Sequence, residues 1–400
     1  MKRYEIMDGM RGYFLVFMLI NHLVFAGGYW LLFVNHNQLA FVEDAQGFVF
    51  LSGLLVGMVY SRKMIKDGYF AGSERVTARA FELYKYAMGI VIAVLAVALV
   101  LPHAPQAWSN WLGSTNFDDP LRLAAVATFL FQPTFMDILP QYVVYMLFAP
   151  PVIWLCLKGR WAEVMAVSLL LWLAGQLGLQ RLVTDPVNNW IMGPDKQGIR
   201  VSFNLLGWQI VFFSGLVLGV LTSSKAIDWA RVFDPQKTFF PKIAAGLLLF
   251  FLPLRILTAH DLMPETVLSK FATMEVRADF GLVYLVSFPA AAFLVTWLIV
   301  AGPKHGHVAV QKIAAALRWV FTLSFLRLLG RHSLHVYVWH VAIVYGVYYV
   351  DQQTPMFSQL EKTLIALFAV ATLALPALWR ERDNWINKPP QKATLPAGGN

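Results

Sequence analysis

The chain has 400 residues, of which 58% are hydrophobic and only 14% are charged. Because a soluble domain carries nearer a quarter of charged residues, this composition excludes an ordinary soluble protein and indicates an integral membrane protein. The single cysteine, Cys156, excludes an intramolecular disulfide framework. The net charge of +9 suggests anionic lipid headgroups or a phosphorylated substrate as partners, and not nucleic acid.

Long apolar segments predict an all-α, polytopic membrane protein with about ten transmembrane helices, since an apolar run of about 20 residues crosses a bilayer. We expect the first helix to be retained, because Asp8 and the lack of a clear cleavage site do not fit a signal peptide. One membrane domain is predicted over residues 1–384, followed by a Pro/Gly-rich, disordered cytoplasmic tail over 385–400. The predicted spans are 12–34, 46–60, 84–102, 140–157, 163–179, 205–221, 242–257, 280–301, 332–350 and 362–380.

The distribution of basic residues predicts that both termini lie in the cytoplasm. With ten spans and a cytoplasmic N-terminus, 24 of the 32 lysine and arginine residues fall on the cytoplasmic side. Such an excess is typical of cytoplasmic segments.

Two connecting segments and one repeated pattern allow further structural predictions. Segment 103–139 is predicted to form an interfacial or re-entrant helix, and segment 311–329 an amphipathic helix on the cytoplasmic surface. The sequences VFLSGLLVG (49–57) and VFFSGLVLG (211–219) each contain a G-x-x-x-G pair. Close packing of helix backbones is the favoured interpretation, and a decayed repeat or a site lining is the alternative.

The first apolar helix carries an ionisable group on the same face as a charged pair. Asp8, Arg11 and His22 fall at spacings of 3 and 11 residues, which places them on one face of a helix. His22 is expected roughly 16 Å of helix rise beyond Arg11, near the middle of the bilayer. An ionisable group there is a candidate for function, and a structural histidine bonded to a neighbouring helix is the alternative.

Other polar residues at membrane depth are candidates for the same site. His340 is expected at a depth comparable to that of His22, as a site residue or as a hydrogen-bonded core histidine. Arg255 either extends to the interface or holds an anionic group. Near the outer ends of the spans, Glu43, Asp44 and Gln46 could meet the first helix, and the side chains of Asn204, Trp208 and Gln209 could contact a polar ligand.

Several of these residues lie in segments that resemble a known family. The opening RYEIMDGMRG (3–12) with His22 resembles the start of membrane acyltransferases of the acyltransferase-3 superfamily, and more closely that of the OpgC family, which succinylates osmoregulated periplasmic glucans. Family members often have an acidic residue at the position of Gln46. Since Gln46 is not charged, the candidates for a charged partner of His22 are Asp44 and Glu43. Four further segments carry the resemblance: DAQGFVFLSGLLVG (44–57), LPQYVVYMLFAPPVIWL (139–155), FNLLGWQIVFFSGLVLG (203–219) and LGRHSLHVYVWHV (329–341).

The resemblance implies a transmembrane O-acyltransferase in the bacterial inner membrane. An acyl group, succinyl by the family name, would pass from cytoplasmic acyl-CoA to a hydroxyl of a periplasmic glucan, with acyl-CoA as a co-substrate and no bound cofactor. His22 is the expected general base, together with Asp44 and His340 as catalytic residues. The expected substrate-binding residues are Asp8, Arg11, Asn204, Trp208, Gln209, Arg255 and Arg331.

Three alternatives stay open on the sequence alone. The histidine could form a covalent acyl intermediate in place of direct transfer. Acetyl or another acyl group could replace succinyl. A proton-coupled transporter or a flippase of a glycan or small anionic solute would also have ionisable residues inside the membrane. No metal is expected, because His335 and His340 are five residues apart and lack the glutamate of a zinc motif.

Overall fold

A computed structural model describes residues 5–193, 195–260, 262–354 and 356–386. Over these residues the chain folds into helices and forms no strand, apart from one isolated bridge between Phe131 and Arg200. The predicted all-α fold is therefore confirmed. Residues 387–400 of the predicted tail lie outside the described residues.

Nineteen α-helices are found in the described part of the chain, together with 3-10 helices at Trp30–Val34, His36–Gln38 and Gly302–Lys304. The α-helices are α1 (Glu5–His22), α2 (Asp44–Asp67), α3 (Tyr69–Val100), α4 (Ala104–Ala107), α5 (Ser109–Leu112), α6 (Pro120–Ala127), α7 (Ile138–Leu157), α8 (Trp161–Gln176), α9 (Arg181–Trp190), α10 (Leu205–Ser223), α11 (Trp229–Val232), α12 (Phe239–Ala259), α13 (Glu265–Ala272), α14 (Leu282–Val300), α15 (Val308–Thr322), α16 (Ser324–Arg331), α17 (Ser333–Gln353), α18 (Gln359–Thr372) and α19 (Ala374–Ile386).

Eight helical stretches in the described residues are long and apolar enough to cross a membrane, or up to ten if each of two bent pairs is one span. The eight coincide with the predicted spans other than 12–34 and 163–179. The bent pairs are α8 with α9, at 53°, and α15 with α16, at 54°. The prediction of about ten transmembrane helices is therefore confirmed.

The first predicted span, 12–34, is wrong as one continuous helix. Helix α1 ends at His22, and the chain turns at Gly27 and Gly28, whose φ angles are 75° and 67°. Glycine adopts this left-handed backbone readily, so the pair provides a break. The side chain of Lys362, on α18, donates to the carbonyls of Ala26 and Gly28. His22 is therefore the last residue of a helix and not a residue in its middle.

The repeated glycine motif joins α2 and α10 at close range. A Cβ built on any of its four glycines would lie 2.1–2.2 Å from a backbone carbonyl of the other helix, so only glycine permits this approach. The contacts advance in the same direction along both helices, which makes α2 and α10 parallel and confirms the packing interpretation. The pairs are Gly53 with Phe212, Gly57 with Leu216, Gly215 with Phe50 and Gly219 with Leu54.

Contacts between helix ends define two faces of the bundle. On the terminal face, Glu5 pairs with Arg327 at 2.5 Å, and Arg331 pairs with Glu381 at 2.9 Å. The starts of α1 and α17 and the described end of α19 therefore lie together. On the opposite face, the last turn of α1 meets the start of α2, and the loop 273–281 meets the end of α8 and the start of α10.

The two segments outside the predicted spans each form several helices. Segment 311–329 is not a single surface helix: the bent pair α15–α16 packs against α1, where the backbones of Gly9 and Gly12 touch those of Phe321 and Leu326. Segment 103–139 holds the short helices α4, α5 and α6. Arg122 of α6 is buried and donates to the Asp195 carboxylate and the Gln197 carbonyl, so this segment is fixed to the loop 193–200 of the opposite face.

We predict that Gly57→Ala destabilises the bundle by about 1–3 kcal/mol, because its methyl group would collide with the Leu216 carbonyl. Thermal unfolding in detergent measures the effect. The matched control is Gly89→Ala in α3, where no atom lies within 4 Å of the added Cβ and a small gain is expected. Equal melting temperatures for the two variants would contradict the close contact.

Candidate active site

A polar cavity of about 640 Å³ opens at the opposite face. The last turn of α1, the start of α2, the loop 134–137 and the loop 277–278 form its wall, with Arg255 of α12 beside them. We call it the opposite-face cavity. The residues of its lining that bear on function are Asn21, His22, Glu43, Asp44, Phe135, Asp137, Arg255 and Arg277.

A second, narrower cavity of about 190 Å³ lies between α2, α3, α7 and α17, on the side of the terminal face. We call it the terminal-face cavity. Its wall is mostly apolar, with Arg11 and Arg79 as its two cations. The Arg11 guanidinium donates to Ser333 Oγ at 2.6 Å and lies 5.4 Å from the centre of the Phe48 ring. A long apolar arm that ends in negative charge fits such a lining.

The two cavities approach each other to within about one helical turn, or ~5 Å of helix rise. On α7 the neighbouring residues Ile138 and Leu139 line the opposite-face and the terminal-face cavity, respectively. On α2 the corresponding residues are Ala45 and Phe48, which are three positions apart. The two cavities therefore come close to each other along α2 and α7, and His22 is part of the lining of the opposite-face cavity.

His22 is bonded to His340 across the bundle. The Nδ1 atom of His22 lies 2.9 Å from Nε2 of His340, and Nδ1 of His340 lies 2.9 Å from the carbonyl oxygen of Tyr337. The His340 ring is fully buried, and the Phe135 ring lies 4.4 Å from the His22 ring centre. His340 does not line the opposite-face cavity itself, so its contact with a substrate would run through His22.

This chain of hydrogen bonds fixes which nitrogen of each neutral ring carries the proton. A carbonyl oxygen can only accept, so His340 Nδ1 is the donor to Tyr337 and His340 Nε2 is left as an acceptor. His22 Nδ1 must then donate to that acceptor. The remaining nitrogen of His22, Nε2, holds a lone pair and is available as a base.

Asp44 lies in the cavity wall but is bonded to other residues than His22. It accepts a hydrogen bond from Asn21 at 2.5 Å, and His36 Nε2 lies 3.7 Å from its second oxygen. The partner of His22 is therefore His340, and the expected acidic partner at Asp44 or Glu43 is not found among the hydrogen bonds of the described residues. Gln46 accepts from the Glu43 backbone at 3.1 Å and so caps α2.

Of the three residues expected at the ligand, two support a loop and the third bonds to α8. Trp208 is fully buried and donates through Nε1 to the Arg277 carbonyl at 3.0 Å. Asn204 donates to the Asp279 carboxylate at 2.9 Å, and Gln209 is bonded to Ser168. None of the three lines the opposite-face cavity, and each has a partner within the protein.

The remaining predicted binding residues lie in different places. Arg255 lines the opposite-face cavity and pairs with Glu275 at 3.2 Å, and Arg11 lines the terminal-face cavity. Arg331 pairs with Glu381 at the terminal face, and Asp8 packs with its backbone against Gly330. Neither Arg331 nor Asp8 lines either cavity.

Sequence reasoning missed four functional residues of the opposite-face cavity: Asn21, Phe135, Asp137 and Arg277. Phe135 adopts a φ of 68°, which is unusual for a bulky residue, and its carbonyl accepts from Tyr337 at 2.8 Å. Asp137 immediately precedes α7, and burial raises the pKa of its carboxyl group. An acid or arginine directly before an apolar span was the available signal. The segment with Asp137 was instead interpreted as an interfacial or re-entrant helix, and the segment with Arg277 only as a connection.

Comparison with known proteins identifies the family of the chain. A family model described as "OpgC protein" matches residues 3–385, which include both histidines and both cavities. No curated protein and no solved structure matches the chain. Since the match covers nearly the whole sequence, the chain belongs to the OpgC family.

Proposed function

We propose that this protein is a transmembrane O-acyltransferase that moves an acyl group, succinyl in keeping with the family, from acyl-CoA to a hydroxyl of a periplasmic glucan. Family membership supports a transferase role and a glucan acceptor. The observation that carries the proposal is the pair of cavities from opposite faces that come close to each other along α2 and α7, with His22 in the lining of one of them. Such an arrangement lets two substrates react without either crossing the membrane.

The terminal face is the cytoplasmic side in this proposal, and the membrane is the bacterial inner membrane. The ten-span arrangement places 24 of the 32 lysine and arginine residues on that side, as the positive-inside tendency requires. Acyl-CoA, which is made and kept in the cytoplasm, then enters at the terminal face. The glucan enters from the periplasm at the opposite face.

The donor site is assigned to the terminal-face cavity. Its apolar wall accommodates the pantetheine arm, and Arg11 and Arg79 offer positive charge to the phosphates or to the thioester carbonyl. The acceptor site is assigned to the opposite-face cavity, where the amide of Asn21 and the carboxylates of Glu43, Asp44 and Asp137 can bond sugar hydroxyls.

His22 is assigned as the general base of direct transfer. The glucan hydroxyl oxygen attacks the thioester carbonyl carbon while its proton passes to His22 Nε2. The tetrahedral intermediate then collapses, the C–S bond breaks, and the CoA thiolate takes the proton from His22. Transiently charged His22 keeps its Nδ1–H bond to His340, so His340 acts as a positioning residue. The products are a glucan ester and CoA with a free thiol.

The proposed orientation predicts the result of reporter fusions. A cytoplasm-active reporter joined after residue 80 or at the C-terminus should give a signal, and one joined near residue 115 or 190 should give none. Residue 115 follows α5 and residue 190 ends α9, both at the opposite face. Signal at 115 and 190 without signal at 80 would reverse the assignment of the two faces.

His22→Ala is expected to reduce acyl transfer by about 100-fold or more, the usual contribution of a positioned base. Transfer from labelled acyl-CoA to glucan by purified protein measures this, with release of free thiol as a second readout. Acyl-CoA binding should persist, because the donor contacts lie in the other cavity. A variant that keeps more than about a tenth of wild-type transfer would exclude the base role. A wild-type protein that moves its substrate without releasing thiol would instead be a transporter or flippase.

The positioning role of His340 is tested with two substitutions at the same place. His340→Leu removes the acceptor for His22 Nδ1–H and should lower kcat with little change in KM. His340→Gln keeps an oxygen that can accept this hydrogen bond and should restore part of the lost kcat. If Leu and Gln lower kcat equally while both proteins keep the wild-type melting temperature, the tautomer argument is wrong.

Arg11→Ala is predicted to weaken acyl-CoA binding by about 1.5–3 kcal/mol, because a charge-assisted contact to phosphate or carbonyl is lost. Titration of purified protein with a non-transferable acyl-CoA thioether measures the affinity. Lys312→Ala, at an exposed position of α15, is the control for loss of one terminal-face charge. Equal affinities of the two variants would remove Arg11 from the donor site.

A further inference from the structure

One loop of the opposite-face cavity is held by an unusual number of hydrogen bonds from two helices. Trp208 Nε1 donates to the Arg277 carbonyl at 3.0 Å, and the Asn204 backbone donates to the Ala278 carbonyl at 2.7 Å. From α8, Gln176 donates to the Asp279 carbonyl at 2.7 Å, and Trp172 to the next carbonyl in the chain at 2.8 Å. The loop 277–280 is therefore fixed, and it presents the Arg277 side chain to the cavity.

Arg277 is the more accessible of the two cations in the lining. Arg255 donates to the Asn37 carbonyl and pairs with Glu275 at 3.2 Å, and its side chain is 15% exposed. The Arg277 side chain is 52% exposed, and its Glu43 pair has the longer distance of 3.5 Å. A guanidinium has five N–H donors in a planar fork that matches a carboxylate, so Arg277 can bind a second carboxylate beside Glu43.

The order of the groups along an acyl-CoA molecule indicates the ligand of this arginine. An acyl thioester is a linear chain, and its CoA end remains at the terminal-face cavity in the proposed function. The far end of the acyl group must then extend past His22 into the opposite-face cavity. For a dicarboxylic acyl group, that end is a carboxylate, and for a simple acyl group it is a methyl.

We propose that Arg277 is the specificity residue for the acyl group, which it recognises by binding the free carboxylate of a dicarboxylic acyl chain. This inference rests on the proposed function and adds to it the residue that distinguishes a dicarboxylic donor from a simple one. The buried Trp208 and the half-buried Asn204 contribute by holding the arginine in place and not by touching the substrate.

Competition between two donors of equal chain length tests the inference. Purified full-length wild type and Arg277→Gln are given succinyl-CoA and butyryl-CoA with glucan, and kcat/KM is measured for each donor. The wild type should prefer succinyl-CoA. In Arg277→Gln, kcat/KM for succinyl-CoA should fall by about tenfold or more while that for butyryl-CoA stays within about twofold. Arg277→Lys should retain part of the preference.

The control is Lys270→Gln, which removes an exposed positive charge from α13 nearby and should leave both donors unaffected. If Arg277→Gln lowers kcat/KM equally for both donors, the arginine contributes to glucan binding or to the fold. The inference is then overturned, while the proposed acyl transfer stands. The inference is overturned as well if the ratio of kcat/KM for succinyl-CoA to kcat/KM for butyryl-CoA is the same in Arg277→Gln as in the wild type. A wild type that transfers neither acyl group overturns the proposed function, and this inference with it.

Discussion

The hydrogen bond between His22 and His340 is the contact on which the rest of the candidate site depends. It joins α1 to α17 inside a membrane bundle, where an unpaired imidazole would be costly. The Tyr337 carbonyl orients His340, and His340 in turn orients His22. A histidine thus takes the place that a carboxylate often holds behind a catalytic histidine. A neutral partner avoids a buried negative charge, which is expensive to hold away from water.

The histidine can reach a polar cavity only because α1 stops where it does. A helix continued to residue 34 would keep His22 inside a regular span, with the following residues filling the space of the opposite-face cavity. The turn at Gly27 and Gly28 prevents this, and Lys362 satisfies the carbonyls that the break exposes. Irregular backbone at membrane depth is tolerated where protein groups meet its polar atoms. The break and its buried lysine are therefore part of the site.

Much of the helical framework was predictable, because an apolar run of sufficient length has few other ways to satisfy its backbone in a membrane. The close approach of α2 and α10 was predictable for a similar reason, since the glycine spacing leaves a groove on one helix face. The break after His22 was not predicted, because Phe25, Tyr29 and Leu31 continue the apolar pattern across it. Composition measures the solvent preference of a segment and not its backbone path.

The two histidines of the site were predictable from the sequence, but the residues that they contact were not. A rare ionisable residue in an apolar span is visible in a sequence, and so His22 and His340 were found independently. Their mutual contact spans 318 positions, and no local spacing encodes it. Asn204 and Trp208 show the converse, because their side chains were interpreted as ligand contacts. In the structure the Asn204 amide donates to the Asp279 carboxylate and the Trp208 indole to the Arg277 carbonyl, both in the loop beside them.

That loop shows why residues distant from the chemistry matter in this fold. A buried carbonyl must be hydrogen-bonded, and the loop 277–280 has three that receive donors from buried or half-buried side chains of α8 and α10. Of these two helices, α10 also makes the glycine contact with α2, and α2 begins at Asp44, directly after Glu43, in the cavity wall. The arginine and the acids of the cavity are thus held by one packed unit, α2–α10–α8. Its rigidity keeps the charges of the cavity at a fixed distance from the His22 base.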